Sequence, residues 1–276
     1  MLVESLSGVR GIFNSDLTED VVRRYARAFA ERLIAAQESG VAIGYDTRPS
    51  SAAISVWMIE EFLRAGISDI YNCKVASTAA IHLTPAVFKA GGAVMITASH
   101  NEPEWNGLKF MRKDGALLHP GEAEKLMNDS RRVTPGSGDV DVESALDVSR
   151  RLQQEYVLLL LRTIGDDAKR TLAERQLHIF VDANGGAAIP YLKDFLIALT
   201  FRLHLKDLNK ENFGEPLNRK PNHWRRSLTF SILAKKILQL HLIVMPIAWN
   251  LLCPKRLRLL NVVRRLCPAN MCWVVW

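Results

Sequence analysis

Three short strand-like segments, at residues 41–45, 70–74 and 93–97, are separated by longer segments with helical spacing, and this alternation leaves few folds open. The first helical segment starts at Thr18 with Glu19 and Asp20. It carries apolar residues at Val21, Val22, Tyr25, Phe29, Leu33 and Ile34 and runs to Gly40. The second opens at Pro49-Ser50, places Ile54, Met58, Phe62 and Leu63 on one face, and ends at Gly66. A third, short helix is expected to start at Pro85 and to end at Gly91-Gly92. Parallel strands need a crossover of about a dozen residues, which a helix supplies, so the pattern predicts βαβ units. The expected fold is α/β, a mixed and mostly parallel sheet covered by helices on both faces. Residues 108–111, the Asp114-Gly115 turn and residues 116–118 read as a hairpin added to that sheet.

The clearest linker is Thr134-Pro135-Gly136-Ser137-Gly138 and the residues up to 141, so the first domain is read as 1–133 and the linker as 134–141. A partial second α/β domain, 142–209, follows. It has a helix at 142–161, one clear strand at 177–181, and a tight turn, Asp182-Ala183-Asn184-Gly185-Gly186, into a helix carrying Tyr191, Leu192, Phe195 and Leu196.

Composition then separates 210–276 from everything before it. Residues 1–200 hold 22 Lys+Arg against 26 Asp+Glu, whereas residues 201–276 hold 14 against 3, and no acid occurs after Glu215. Basic tails that bind nucleic acid or membranes are usually rich in Gly, Ser and Lys; this one is rich in Leu, Trp, Cys and Arg, so neither partner is favoured. Cys253, Cys267 and Cys272 include no C-x-x-C pair, which argues against zinc, and Cys73 alone gives no disulfide framework. The best membrane candidate, 237–253, is broken by Gln239, His241, Pro246 and Asn250. Glu4 and Arg10 interrupt any signal-peptide pattern, so the cytoplasm is the expected location.

Chemistry concentrates in residues 96–110, Ile96-Thr97-Ala98-Ser99-His100-Asn101-Glu102-Pro103-Glu104-Trp105-Asn106-Gly107-Leu108-Lys109-Phe110. A buried parallel strand delivers Ser99 to the carboxyl edge of the sheet, where open α/β sheets place ligands. On composition alone the segment also reads as a polar turn. A serine hydrolase is disfavoured, because G-x-S-x-G is missing and His100 adjoins Ser99 along the chain.

The whole string resembles the phosphoserine loop of the α-D-phosphohexomutases, the superfamily of phosphoglucomutase, phosphomannomutase and phosphoglucosamine mutase. Three further segments match in order. Ser7-Gly8-Val9-Arg10-Gly11 resembles the family's S-G-I-R-G, Gly44-Tyr45-Asp46-Thr47-Arg48-Pro49-Ser50-Ser51 its G-x-D-x-R-x-S-S, and Asp182-Ala183-Asn184-Gly185-Gly186-Ala187 the turn opening its second domain. The resemblance implies an intramolecular phosphotransferase that interconverts a hexose 1-phosphate and 6-phosphate through a phosphoserine and a bisphosphorylated sugar. Ser99 would carry the phosphoryl group. Arg10, His100 and Lys109 are the cations available to its spreading charge, and Lys109 could also exchange a proton with the sugar hydroxyl. Asn101, Gly11, Asn106 and Gly107 would complete the phosphate loop. Asp46 and Arg48 read as an internal ion pair that shapes the loop. Glu102 before Pro103 departs from the family string, in which Pro follows Asn directly.

The resemblance also implies Mg²⁺, held between the serine phosphate and three carboxylates of a D-G-D-x-D-R loop, but that motif is missing from the chain; Asp139-Val140-Asp141 lacks a third Asp and the Arg. Ser99, through its phosphate, would be the one ligand present. Shifting the reading frame, so that each codon takes the last base of one written codon and the first two of the next, lets 242–248 encode Asp-Cys-Asp-Ala-Asp-Arg, with the alanine forced by Met245-Pro246. The same frame permits Glu-Pro-Leu-Glu across 221–225 and forces Val-Leu-Gly from 271–274. These strings resemble, in order, family segments before, at and after the metal loop. Residues 210–276 are therefore read as out-of-frame translation, which makes the chain as written a truncated and inactive mutase. The alternatives are a non-catalytic mutase-like domain whose basic tail binds nucleic acid, anionic lipid or a protein, and an interaction protein that keeps the loop without catalysis. Oligomeric state is not legible.

Overall fold

The computed structural model describes residues 1–174 and 185–199, together with the backbone of 178–182, 202–206 and 237–240. Contacts divide the chain into two units, Met1–Tyr156 and Val157–Trp276.

The first unit contains, in chain order, β1 (Val3–Ser5), β2 (Gly8–Ile12), α1 (Glu19–Ala35), β3 (Val41–Tyr45), α2 (Ser51–Arg64), β4 (Ile70–Val75), α3 (Thr78–Phe88), β5 (Gly92–Ile96), β6 (Trp105–Arg112), α4 (Pro120–Ser130), β7 (Leu146–Asp147) and the start of α5 (Ser149–Ile164). Its sheet has the order β1-β2-β6-β5-β3-β4-β7. β5, β3, β4 and β7 pair in parallel, and β6 enters antiparallel between β5 and β2. β2 thereby regains the direction of β5, so five of the seven strands point one way. This is the mixed, mostly parallel α/β sheet expected from the alternation.

The two faces of the sheet are packed differently. Val41, Ile43, Ile70, Val94 and Ile96 join residues of α1, α2 and α4 in one fully buried cluster. On the face toward α3, Tyr71 stacks on Phe88 of α3 at 5.2 Å between ring centroids, and a Cβ at Gly44 would lie 2.4 Å from Ile81 Cδ1, so glycine lets α3 approach β3 closely there. Thr18 caps α1 by accepting from Val21 N at 3.4 Å.

Pro85 does not start a helix; it lies inside α3, which begins after Ser77. Proline removes the donor that would pair with the carbonyl four residues back. That carbonyl, Ile81 O, accepts from Thr84 Oγ1 at 2.7 Å instead, so the helix continues. Residues 142–147, expected to be helical, form a 3₁₀ turn (Val142–Ser144) and β7, which extends the sheet beside β4. The Pro/Gly-rich stretch before them lies along α2. Glu61 accepts from Gly136 N at 2.8 Å, and Arg64 Nε donates to Gly138 O at 2.9 Å. These side chains supply the hydrogen bonds that an irregular backbone lacks, and by contacts the first unit runs to Tyr156.

The second unit contains α6 (Asp166–Glu174), β8 (His178–Asp182), α7 (Ile189–Ala198), β9 (Arg202–Lys206) and β10 (Ile237–Leu240). The expectation of a single strand is corrected here. β8 pairs in parallel with both β9 and β10, so its two edges are hydrogen-bonded. Apart from β10, the segment 210–276 lies outside the described residues, as do Ala183 and Asn184 of the glycine turn.

Candidate functional site

The loop between β5 and β6 lies where the parallel strands end. β5 is buried along its whole length, burial continues through Thr97 and Ala98, and Ser99 and His100 are exposed. Ser99 takes a left-handed backbone, φ 60°. That conformation costs a residue with a Cβ roughly 1 kcal/mol. Thr97 Oγ1 helps to hold it by accepting from Ser99 N at 2.9 Å, and Asn101 N donates to Ala98 O at 3.2 Å.

Two cations flank the loop because of strand register. Arg10 on β2 lies opposite Gly107 on β6, and Lys109 follows two residues later on the same face. Gly107 is required there: a Cβ would meet Val9 O at 2.5 Å and Thr97 O at 3.0 Å. Arg10 Nη1 lies 3.4 Å from Asn101 Oδ1, a long contact joining β2 to the loop. Lys109 is half-buried, and burial first, then the charge of Arg10, lowers its pKa below the ordinary lysine value. The ammonium is therefore easier to deprotonate than a surface lysine.

The inner side of the loop is built around Arg48, 3% exposed. Its Nη1 donates to Glu102 O (2.6 Å) and Trp105 O (2.9 Å), its Nη2 to Asn101 O (2.8 Å) and Ser99 O (3.1 Å), and its Nε to Asp46 Oδ2 (3.2 Å). Asp46 Oδ1 accepts from Arg48 N and from Ser51 Oγ, which ties the pair to the first turn of α2. Asn106 is fully buried. Its amide donates to Ser50 Oγ and Ser51 Oγ at 2.8 and 2.9 Å, and its Oδ1 accepts from Gly107 N at 2.8 Å.

The structure therefore joins Arg10 to Asn101 of the loop and sets Lys109 near Arg10 on β6, opposite Met95, while Ser99 and His100 are exposed in the loop. Gly11 pairs with Asn106 across β2 and β6, behind the loop. Asn106, read from sequence as part of a phosphate loop, has its amide committed to α2. Glu102 is exposed, and its carbonyl accepts from both Arg48 and Trp105 N, so the loop closes around this residue. Thr97, Ser50 and Ser51 were not singled out by sequence reasoning. Their hydroxyls stand in the very segments quoted above, but only register shows whom they meet.

Among the described residues no cluster of three His, Cys, Asp or Glu side chains could hold a metal ion. Asp46 is occupied by Arg48 and Ser51, and Glu102 and Glu104 are exposed. The residues present beside Ser99 thus do not fit a Mg²⁺ site, and 242–248 lies outside the described residues. No described helix is long and apolar enough to cross a membrane.

The layers and this loop define an α/β/α domain of the phosphoglucomutase/phosphomannomutase kind, and the family model "Phosphoglucomutase/phosphomannomutase, alpha/beta/alpha domain I" matches residues 4–135. A phosphoglucosamine mutase of Alkaliphilus oremlandii is 33% identical over 189 residues, covering 66% of this chain and 40% of the relative. A probable phosphoglucosamine mutase of Pyrococcus horikoshii is 31% identical over 193 residues, covering 67% and 39%. A solved putative phosphomannomutase from Thermus thermophilus superposes with a TM-score of 0.69 at 22% identity, covering 87% of this chain and 54% of that one. Over its amino-terminal region the chain belongs to the α-D-phosphohexomutase superfamily. It spans about 40% of the length of the curated relatives it matches.

Proposed function

We propose that Ser99 is the phosphoryl-carrying residue of a phosphohexomutase-type reaction on a hexose phosphate. The observation that carries the reading is the exposed, left-handed Ser99 at the carboxyl end of β5, in a loop that Arg10 meets through Asn101 Oδ1. A phosphoryl group on Ser99 Oγ passes to a free hydroxyl of a hexose monophosphate. The P–Oγ bond breaks, a P–O bond to the sugar forms, and the hydroxyl proton passes through neutral Lys109 Nζ to the released Ser99 Oγ. The bisphosphorylated sugar then returns its other phosphoryl group to Ser99 Oγ, whose hydroxyl proton passes through Lys109 Nζ to the released sugar oxygen. Arg10, joined by Lys109 once it holds the proton, stabilises charge spread over the transferring oxygens.

For substrate, hexosamine phosphate stands beside mannose and glucose phosphates; the names of the curated relatives support the first. We keep the out-of-frame reading of 210–276 as part of the proposal, with the metal carboxylates encoded in the restored frame. The gene's nucleotide sequence tests that part directly. A frame-restored protein assayed with all three hexose phosphates tests the activity, and turnover of none of them contradicts it. The written 276-residue chain is expected to turn over none.

A further inference from the structure

We propose that Arg48 is a positioning residue that sets the Ser99 loop for phosphoryl transfer before any ligand arrives. The inference rests on the proposed role of Ser99 and concerns how that residue is held. A buried guanidinium is costly unless all its donors are matched, and here one carboxylate and four main-chain carbonyls match them. Four carbonyls of the segment 99–105 are thus drawn to one point beneath the loop. Among the described residues no peptide bond is cis. In a trans peptide the C=O and the next N–H point in opposite directions. Pulling in the carbonyls of Ser99 and Asn101 therefore turns the amides of His100 and Glu102 away from Arg48, toward the outer side where Ser99 is exposed. Arg48 would in this way convert one buried charge into two outward amide dipoles at the serine, where a phosphoryl group gathers negative charge.

Lysine cannot substitute. It has three donors on one atom and no planar fork, so it can keep the ion pair with Asp46 but cannot hold four carbonyls. The left-handed Ser99 is the residue that loses most, because its backbone is strained and its carbonyl is one of the four.

The test compares the 276-residue wild type with Arg48→Lys, Arg48→Met and the charge-balanced Asp46→Asn/Arg48→Met variant, by residue-resolved amide hydrogen exchange. The amides of Ser99, Asn101 and Trp105, which donate within the loop, should exchange at least about tenfold faster in all three variants. Amides of β3 and β5 should keep their wild-type rates, and the double variant keeps the test sound if an unpaired Asp46 unfolds the single one. Unchanged exchange of the loop amides, or equal acceleration of loop and core, would overturn the proposal. In parallel, the same substitutions are made in the frame-restored protein, each version is incubated with a hexose 1,6-bisphosphate, and phosphate on Ser99 is measured. A slower gain in every variant than in the wild type, with the core intact, supports positioning, and an equal gain overturns it. If the wild type takes up no phosphate while the loop amides respond as stated, the role of Ser99 falls and the exchange result still stands.

Discussion

The loop at residues 97–107 has two sides with opposite chemistry. On the inner side, Arg48 and Asn106 are buried, and their polar atoms are matched to carbonyls, hydroxyls or an amide. On the outer side, Ser99 and His100 are exposed, and Lys109 is half-buried beside Arg10 with its pKa lowered. On the inner side charge is matched to the backbone, and on the outer side we propose that it meets the phosphoryl group. Residues of the same type therefore do different work depending on which side they occupy, as Arg48 and Arg10 show.

Substitutions on the outer side should affect activity with little effect on stability. The largest effect is expected for Ser99→Ala in the frame-restored protein, which removes the group that carries phosphate. Turnover should fall by about 10⁴-fold or more, and the unfolding free energy should shift by no more than about 0.5 kcal/mol, checked by denaturant titration. Ser99→Gly should be as inactive yet somewhat more stable, since glycine adopts φ 60° freely.

Lys109→Met comes next, with kcat lower by about 10²- to 10⁴-fold. Its stability should not fall. Burial and Arg10 lower the lysine's pKa, so between that value and the ordinary 10.5 the unfolded chain holds more protons than the folded one. Stability gained from Lys109 therefore grows as pH rises through this window, and the methionine variant should lose that slope in melts from neutral to alkaline pH. Arg10→Met should move the ascending, acid-side limb of the kcat/KM profile to higher pH, because neutral Lys109 accepts the hydroxyl proton and the second cause of its lowered pKa is removed. A limb that stays in place would mean that Lys109 is not the titrating group. The smallest effect is expected for His100→Ala, about tenfold or less on kcat/KM, with no change in melting.

The contrast between the two sides also marks what could be read from sequence. Residues 41–45 and 93–97 announced strands because their burial makes them continuous apolar runs, 70–74 by its place between two helical segments, and Ser99 followed from its place after the third. β1 and β2 did not announce themselves, being short, polar and interrupted by Gly8 and Gly11. Pro85 misled because a helix-breaking rule is local, and Thr84 answers it with one hydroxyl. Asn106-Gly107 has the composition of a turn, yet lies within β6, where Gly107 permits close approach of β2 and Asn106 serves α2. The Asp46–Arg48 ion pair could be inferred from two residues of opposite charge. The four carbonyls that Arg48 gathers could not, because backbone acceptors leave no trace in sequence.

The central claim is that Ser99 carries the phosphoryl group, and peptide mass spectrometry tests it most directly. Protein from the native host, or the frame-restored protein after incubation with a hexose bisphosphate, should carry one phosphate on the peptide containing Ser99, absent in Ser99→Ala. Stoichiometric phosphate on another residue, with none on Ser99, would contradict the account.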